Sequence, residues 1–163
     1  MLKHALLLAA AFAALPAHAQ LRQHPELGLE AADRLAARAV HACRSQGRTI
    51  VVSVVDHGGN LVALRRDDGV GPHNTEASRR KAYTALSTRR ATLSLARDAQ
   101  ASPDARNLAT LPELLLLGGG VPLLAQGKVV GAIGVAGGGG AVHDHACALA
   151  AIGAVPELDQ PAE

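Results

Sequence analysis

Thr49-Ile50-Val51-Val52-Ser53-Val54-Val55-Asp56-His57-Gly58-Gly59-Asn60-Leu61-Val62-Ala63-Leu64 is the stretch that decides the fold. Its first seven residues are dominated by β-branched side chains, which pack well on a pleated surface and read as a strand. Asp56 to Asn60 is turn chemistry, rich in residues that tolerate tight backbone conformations. Leu61 to Leu64 returns as a second strand, so the whole is a hairpin. A second strand-rich region lies downstream. Leu114–Leu117, Val121–Ala125 and Val129–Val135 are apolar runs separated by Gly118-Gly119-Gly120 and by Gln126-Gly127-Lys128. These runs predict three further strands joined by short connections. Short connections demand antiparallel pairing.

Between and around the strands the period changes to that of a helix. Ala32, Leu35, Ala36, Ala39, Val40 and Cys43 recur at helical spacing, and Gly47 is the expected stop. Arg65 to Asn74 is a polar loop. Asn74 or Thr75 then caps a helix that carries Glu76 in its positive first turn and runs to about Thr88. Leu93–Ala99 predicts a shorter helix. Gly137–Gly140 leads into a last helix with a stripe of Cys147, Ala150, Ala151 and Ala154. The tail after Pro156 is expected to fray. The pattern predicts one α+β domain: a five-stranded antiparallel sheet whose faces are covered by helices. No internal repeat or linker is visible.

Composition narrows the function. The chain has 163 residues, 48% of them hydrophobic and 18% charged, which excludes a disordered chain. Phe12 and Tyr83 are its only aromatic residues apart from histidine, too few for a base-stacking platform. A net charge of +2 is too small for a nucleic-acid footprint. Lys3, Lys81 and Lys128 are the only lysines, leaving 13 arginines. With so few bulky side chains, the core must use Ala, Val, Leu, Ile and Gly, with close backbone packing.

The N-terminus reads as an address. Lys3 and His4 precede the apolar run Ala5–Leu15, and Ala17-His18-Ala19 fits a small-x-small cleavage site. The run is shorter than the about 20 apolar residues a membrane-spanning helix needs. The expectation is a signal peptide at 1–19 and a mature domain at 20–163 without a membrane span, in the periplasm or secreted. An oxidising compartment permits Cys43 and Cys147 to form one bridge; the alternative is two buried free thiols. No C-x-x-C motif is present.

Six motifs occur in order: Val54-Val55-Asp56-x-x-Gly59-x-Leu61, Arg66-x-Asp68-Gly69, Lys81-Ala82-Tyr83-Thr84-Ala85, Gly119-Gly120-Val121-Pro122-Leu123, Gly127-Lys128-Val129-Val130-Gly131-Ala132-Ile133-Gly134-Val135, and Asp144-x-x-Cys147-Ala148. Together they resemble the GlcG/HbpS-like family, also called the haem-degrading domain family, over about residues 27–155. The resemblance implies a profilin-like fold with helices on both faces of the sheet, and a homo-oligomer. In such a fold the terminal helices share a sheet face, which places the Cα atoms of Cys43 and Cys147 within the about 7 Å that a bridge allows. Relatives of this kind are linked to extracellular haem binding, to glycolate operons and to corrinoid-related proteins.

The candidate site residues lie mostly in one segment. His73, in the loop between the second predicted strand and the helix that carries Glu76 and next to Pro72, offers an axial imidazole for haem iron; the alternative is a surface or helix-capping histidine. The resemblance implies a contact from Thr92, although Ala91 and Thr88 depart from the proline and aromatic residue usual nearby. Lys81, with Arg79 or Arg80, can meet a propionate or a small carboxylate, or belong to a solvated helix face. Tyr83 can stack on a ring or ligate iron, or simply pack in the core. Thr84 adds a hydroxyl. The loop Arg66–Asn74 and helix Glu76–Thr92 are thus expected to form one wall of a pocket faced by His73. Gly138, Gly139 and Gly140, before a helix N-terminus, offer an anion site; the alternative is a turn that needs positive φ. His143 and His145 flank Asp144, but residues two apart on a helix diverge, which argues against a shared metal.

Two functions follow as expectations. The first is an exported, oligomeric haem- or tetrapyrrole-binding protein used in haem handling or sensing, a binding protein rather than an enzyme. The second is a small-carboxylate-binding accessory protein or enzyme of the GlcG type, using the basic helix and the Gly-rich anion site.

Overall fold

The computed structural model describes residues 24–160. The expected signal peptide and its cleavage site lie outside the described residues. Helix α1 (Leu29–Arg44) leads into strands β1 (Val51–Asp56) and β2 (Leu61–Arg66). Helices α2 (His73–Thr88), α3 (Thr92–Ala101) and the short α4 (Pro103–Arg106) follow, then a single 3-10 turn at Asn107–Thr110. Strands β3 (Gly120–Ala125) and β4 (Lys128–Ala136) precede the last helix, α5 (Ala141–Gly153).

The sheet is antiparallel throughout, in the order β2-β1-β4-β3. Every residue of β1 is buried, because it is a central strand covered on both faces. One face carries α1 and α5, whose Leu35, Ala36, Ala39, Cys43, Cys147, Ala148 and Ile152 pack onto Ile50, Val52, Val54, Ile133 and Val135. The other face carries α2, with Ala82 and Ala85 against Val55 and Ala132. The second contact is unusually close. A Cβ built on Gly134 would lie 2.0 Å from the Ser78 carbonyl oxygen. Only a glycine in β4 lets the α2 backbone approach this far. The Ser53 and Ser78 hydroxyls pair across the same contact at 2.7 Å, so neither is left unsatisfied.

Among the described residues the sheet has four strands where five are expected, because Leu114–Leu117 does not join it. Its backbone groups find side-chain partners instead. Arg80 Nη2 donates to the Leu114 carbonyl at 2.7 Å, the Leu115 N–H donates to Thr84 Oγ1 at 2.8 Å, and Thr92 Oγ1 donates to the Leu117 carbonyl at 2.8 Å. A segment whose polar groups are met by helix side chains has no need of a neighbouring strand.

Two smaller expectations also change. The stripe of α5 is Asp144, Cys147, Ala148, Ala151 and Ile152, while Ala150 and Ala154 are exposed. The tail is held rather than frayed as far as Gln160. Leu158 is buried, the Asp159 N–H donates to the Leu124 carbonyl, and the Asp159 carboxylate accepts from the Gln126 and Gly127 N–H groups. Cys43 and Cys147, both fully buried, form a disulfide with Cα atoms 5.5 Å apart that ties α1 to α5.

Candidate functional site

The five residues expected to surround a ligand do not converge. His73 is the exposed first residue of α2, and its imidazole lies back over Gly71, whose built Cβ would be 3.1 Å from the ring. Tyr83, ten residues on, is about 15 Å further along the helix axis. It is half-buried between two small grooves, of about 240 and 400 Å³. Thr84 and Thr92 are fully buried, and their hydroxyls are spent on backbone. Thr84 Oγ1 donates to the Arg80 carbonyl at 2.7 Å while accepting from Leu115, and Thr92 Oγ1 accepts the Gly120 N–H at 2.8 Å. Their role in the structure is to anchor the segment 114–120.

Lys81 departs furthest from a basic helix face. It is 1% exposed, and its Nζ donates to the Val135 carbonyl at 2.9 Å and to Asp144 Oδ2 at 2.8 Å. Burial pulls its ammonium below the ordinary lysine value, against the opposing pull of the Asp144 charge and hydrogen bond. The other carboxylate oxygen, Asp144 Oδ1, accepts the Gly138 N–H at 2.7 Å. The Gly-rich loop is therefore already served by an anion, and that anion is the chain's own Asp144. Arg48 lies over the same loop and donates to the Gly138 carbonyl at 2.6 Å. Gly139 and Gly140 adopt φ of +88° and +136°, which other residues rarely do. Gly138, Gly139 and Gly140 thus form a turn that needs glycine at its last two positions and is locked by Asp144 and Arg48, and the Lys81–Asp144 pair fixes where α5 begins.

That lock aims the neighbouring histidines apart. His143 Nε2 accepts a hydrogen bond from Arg48 Nη2 at 3.1 Å. His145 instead lines a groove of about 770 Å³ between α3, β3 and α5. Among the described residues no group of three His, Cys, Asp or Glu side chains could hold a metal ion. Also among the described residues, no helix is long and apolar enough to cross a membrane.

Sequence reasoning did not find this groove. Its floor is apolar: Leu93 from α3, Pro122 and Leu124 from β3, Leu149 from α5. Its rim is cationic: Arg89, Arg90 and Arg97. Arg90 is paired with Asp98, but neither Arg89 nor Arg97 has a hydrogen-bonded acidic partner among the described residues. Asp159, the one carboxylate among the described residues that line the groove, is occupied by two backbone N–H groups. His145 Nδ1 is shut off from solvent and has no hydrogen-bond partner among the described residues. Such an orphan costs roughly 1–3 kcal/mol. Burial, and then the charge of Arg97, push the His145 imidazole below its ordinary pKa, so the neutral ring is favoured. The signal for the groove is present only as local pairs at i, i+4 spacing, Leu93 with Arg97 and His145 with Leu149. Nothing in the sequence says that the two pairs face one another.

The arrangement offers a neutral nitrogen donor, apolar contact area and unpaired cations within one concave site. Such a combination suits an amphipathic anion with a flat apolar body.

The family described as haem degrading protein HbpS-like matches residues 27–153. A double-mutant HbpS from Streptomyces reticuli is 36% identical, with a TM-score of 0.79, over 94% of this chain and 99% of that one. An uncharacterized 15.0 kDa protein of the dhaT-dhaS intergenic region of Citrobacter freundii is 40% identical over 91 residues, 55% of this chain. Protein GlcG of Escherichia coli K12 is 36% identical over 87 residues, 53% of this chain. The matched stretches span 64% and 63% of the lengths of these two relatives.

Proposed function

We propose, from the premise that the chain belongs to the HbpS-like haem degrading protein family, that it binds haem. The observation that carries this reading is the family match over 27–153, which takes in the sheet and all of α5. Bound haem presents an iron that accepts axial nitrogen or oxygen donors, a flat apolar ring, and two carboxylates. The groove between α3, β3 and α5 has an imidazole, an apolar floor and two unpaired arginines, and its volume of about 770 Å³ lies within the ordinary ligand-pocket range. In that site the arginines would hold carboxylates, the leucines would exclude water, and a neutral imidazole would be the donor.

The reading extends to export and self-association. The charged start, the apolar run and Ala17-His18-Ala19 support delivery to the periplasm or beyond. Leu61 and Leu64, exposed on the edge strand β2, support pairing with further copies of the chain. A small carboxylate is the second reading. It is favoured by the lack of any Phe, Tyr or Trp among the described residues that line the groove, which leaves a tetrapyrrole ring no such partner there on which to stack.

Haemin titrated into the purified protein tests the first reading. A Soret band displaced from that of free haemin, saturating at a fixed stoichiometry, is expected. An unshifted band across the titration removes haem and leaves the small carboxylate.

A further inference from the structure

Resting on the haem reading, we propose that the haem seat is the α3–β3–α5 groove, with Arg89 and Arg97 meeting the propionates and His145 presented to the ring. The α2 face around His73 and Tyr83 has no part in it.

The argument begins with rigidity. Asp144 is held on both carboxylate oxygens, by Lys81 Nζ at 2.8 Å and by the Gly138 N–H at 2.7 Å. The first turn of α5 therefore cannot rotate. The next residue, His145, sits about 100° further round the helix and leaves the core toward the groove. Leu149, four residues on, lies on the same face and lines the same groove. Because Nδ1 is turned into the protein without a partner, the Nε2 side of the ring is what meets the groove.

Charge supports the same assignment. Arg97 lies four residues after Leu93 on α3, so one helix face supplies both cation and apolar contact. Arg89 ends α2 in a left-handed conformation, with φ of 54°. The groups facing His145 across the groove are Arg89, Arg90 and Arg97, with Asp159 on the far rim. Arg90 and Asp159 have partners of their own, so two positive charges are left over. A dicarboxylate answers them. The α2 face has the opposite character. Its grooves are small, its Arg79 is paired with Glu76, and Arg80 is engaged with the Pro112 and Leu114 carbonyls.

The test compares haemin and iron-free protoporphyrin IX on wild type, His145→Gln, Arg97→Gln, His73→Ala and Tyr83→Ala, with circular dichroism confirming that each variant folds. Arg97→Gln is expected to weaken both ligands about tenfold, the loss of one charge-assisted hydrogen bond. His145→Gln is expected to move the Soret maximum and weaken haemin, while leaving protoporphyrin affinity near wild type. His73→Ala and Tyr83→Ala are expected to match wild type. If wild type binds haemin and both groove variants behave as wild type, the seat is elsewhere and the haem reading stands. If His73→Ala or Tyr83→Ala alone abolishes the shifted band, the α2 face is the seat and this assignment is overturned. If wild type shows no shifted band, the underlying reading fails, and the seat with it.

Discussion

Replacing Lys81 with methionine keeps the length of the side chain and removes its ammonium. The structure sets the consequence. Lys81 is 1% exposed and Asp144 4% exposed, so neither charge has water to fall back on. After the replacement Asp144 keeps only the Gly138 N–H, and the Val135 carbonyl loses a donor. Breaking a buried ion pair from one side costs about 3–5 kcal/mol, because the surviving charge is left uncompensated. With a urea slope of about 2 kcal/mol/M, the unfolding midpoint should fall by about 2 M. Circular dichroism is the suitable probe, since the chain has no tryptophan and Tyr83 is its only tyrosine. Adding Asp144→Asn to Lys81→Met removes the stranded charge and keeps an acceptor for Gly138, so the double variant should be more stable than Lys81→Met alone. A midpoint within about 0.3 M of wild type for Lys81→Met would refute the reasoning, being well under 1 kcal/mol at the same slope. So would a double variant whose loss equals the sum of the two single losses, since contacting residues should couple.

Reduction of the Cys43–Cys147 disulfide, which spans a sequence separation of 104, should cost up to about 4.7 kcal/mol in the chain-entropy account, read as a lower urea midpoint with reductant. Equal midpoints with and without reductant would count against a bridge that constrains the unfolded chain. Gly134→Ala places a Cβ 2.0 Å from the Ser78 carbonyl oxygen, a clash with backbone that no rotamer relieves. Its expected loss exceeds the about 1–3 kcal/mol of ordinary overpacking, and a wild-type melting curve would contradict the close α2–β4 contact. Burial depresses the His145 pKa, so the folded chain takes up this proton at lower pH than the unfolded chain, whose value is about 6.5. The His145 contribution to stability, and with it haemin affinity, should therefore be full above pH 6.5 and decline only below it; a decline that His145→Gln leaves unaltered would assign it to another group. Intact-mass measurement of exported protein should show a chain beginning at Gln20, and a soluble form retaining 1–19 would contradict export.

The parts of the fold that are local in sequence were legible. The hairpin around Asp56–Asn60 announces itself by β-branched runs on either side of turn residues, and it forms with Asp56 Oδ1 accepting the Asn60 N–H at 2.8 Å. The segment Leu114–Leu117 carries the same apolar signature, yet it is not a strand. What decides its conformation is hydrogen bonding with Arg80, Thr84 and Thr92, residues 25–34 positions before their partners, and no short window contains that information. Lys81 misleads for a related reason. A lysine reads as surface because an unpaired ammonium is expensive to bury, and its partner Asp144 lies 63 residues away. Once that pair is seen, the Gly138–Gly140 loop ceases to be an open anion site. The larger groove was invisible because its walls, Leu93–Arg97 and His145–Leu149, meet only through tertiary structure.

The central claim is that haem sits against α5 beside His145. Anomalous scattering at the iron edge from crystals of the haemin complex locates the metal without reference to any assumed ligand. The account predicts a single iron peak within coordination distance of the His145 ring, with density for the propionates reaching Arg89 and Arg97. An iron peak beside His73 or Tyr83, with the α3–β3–α5 groove empty of porphyrin, would contradict it.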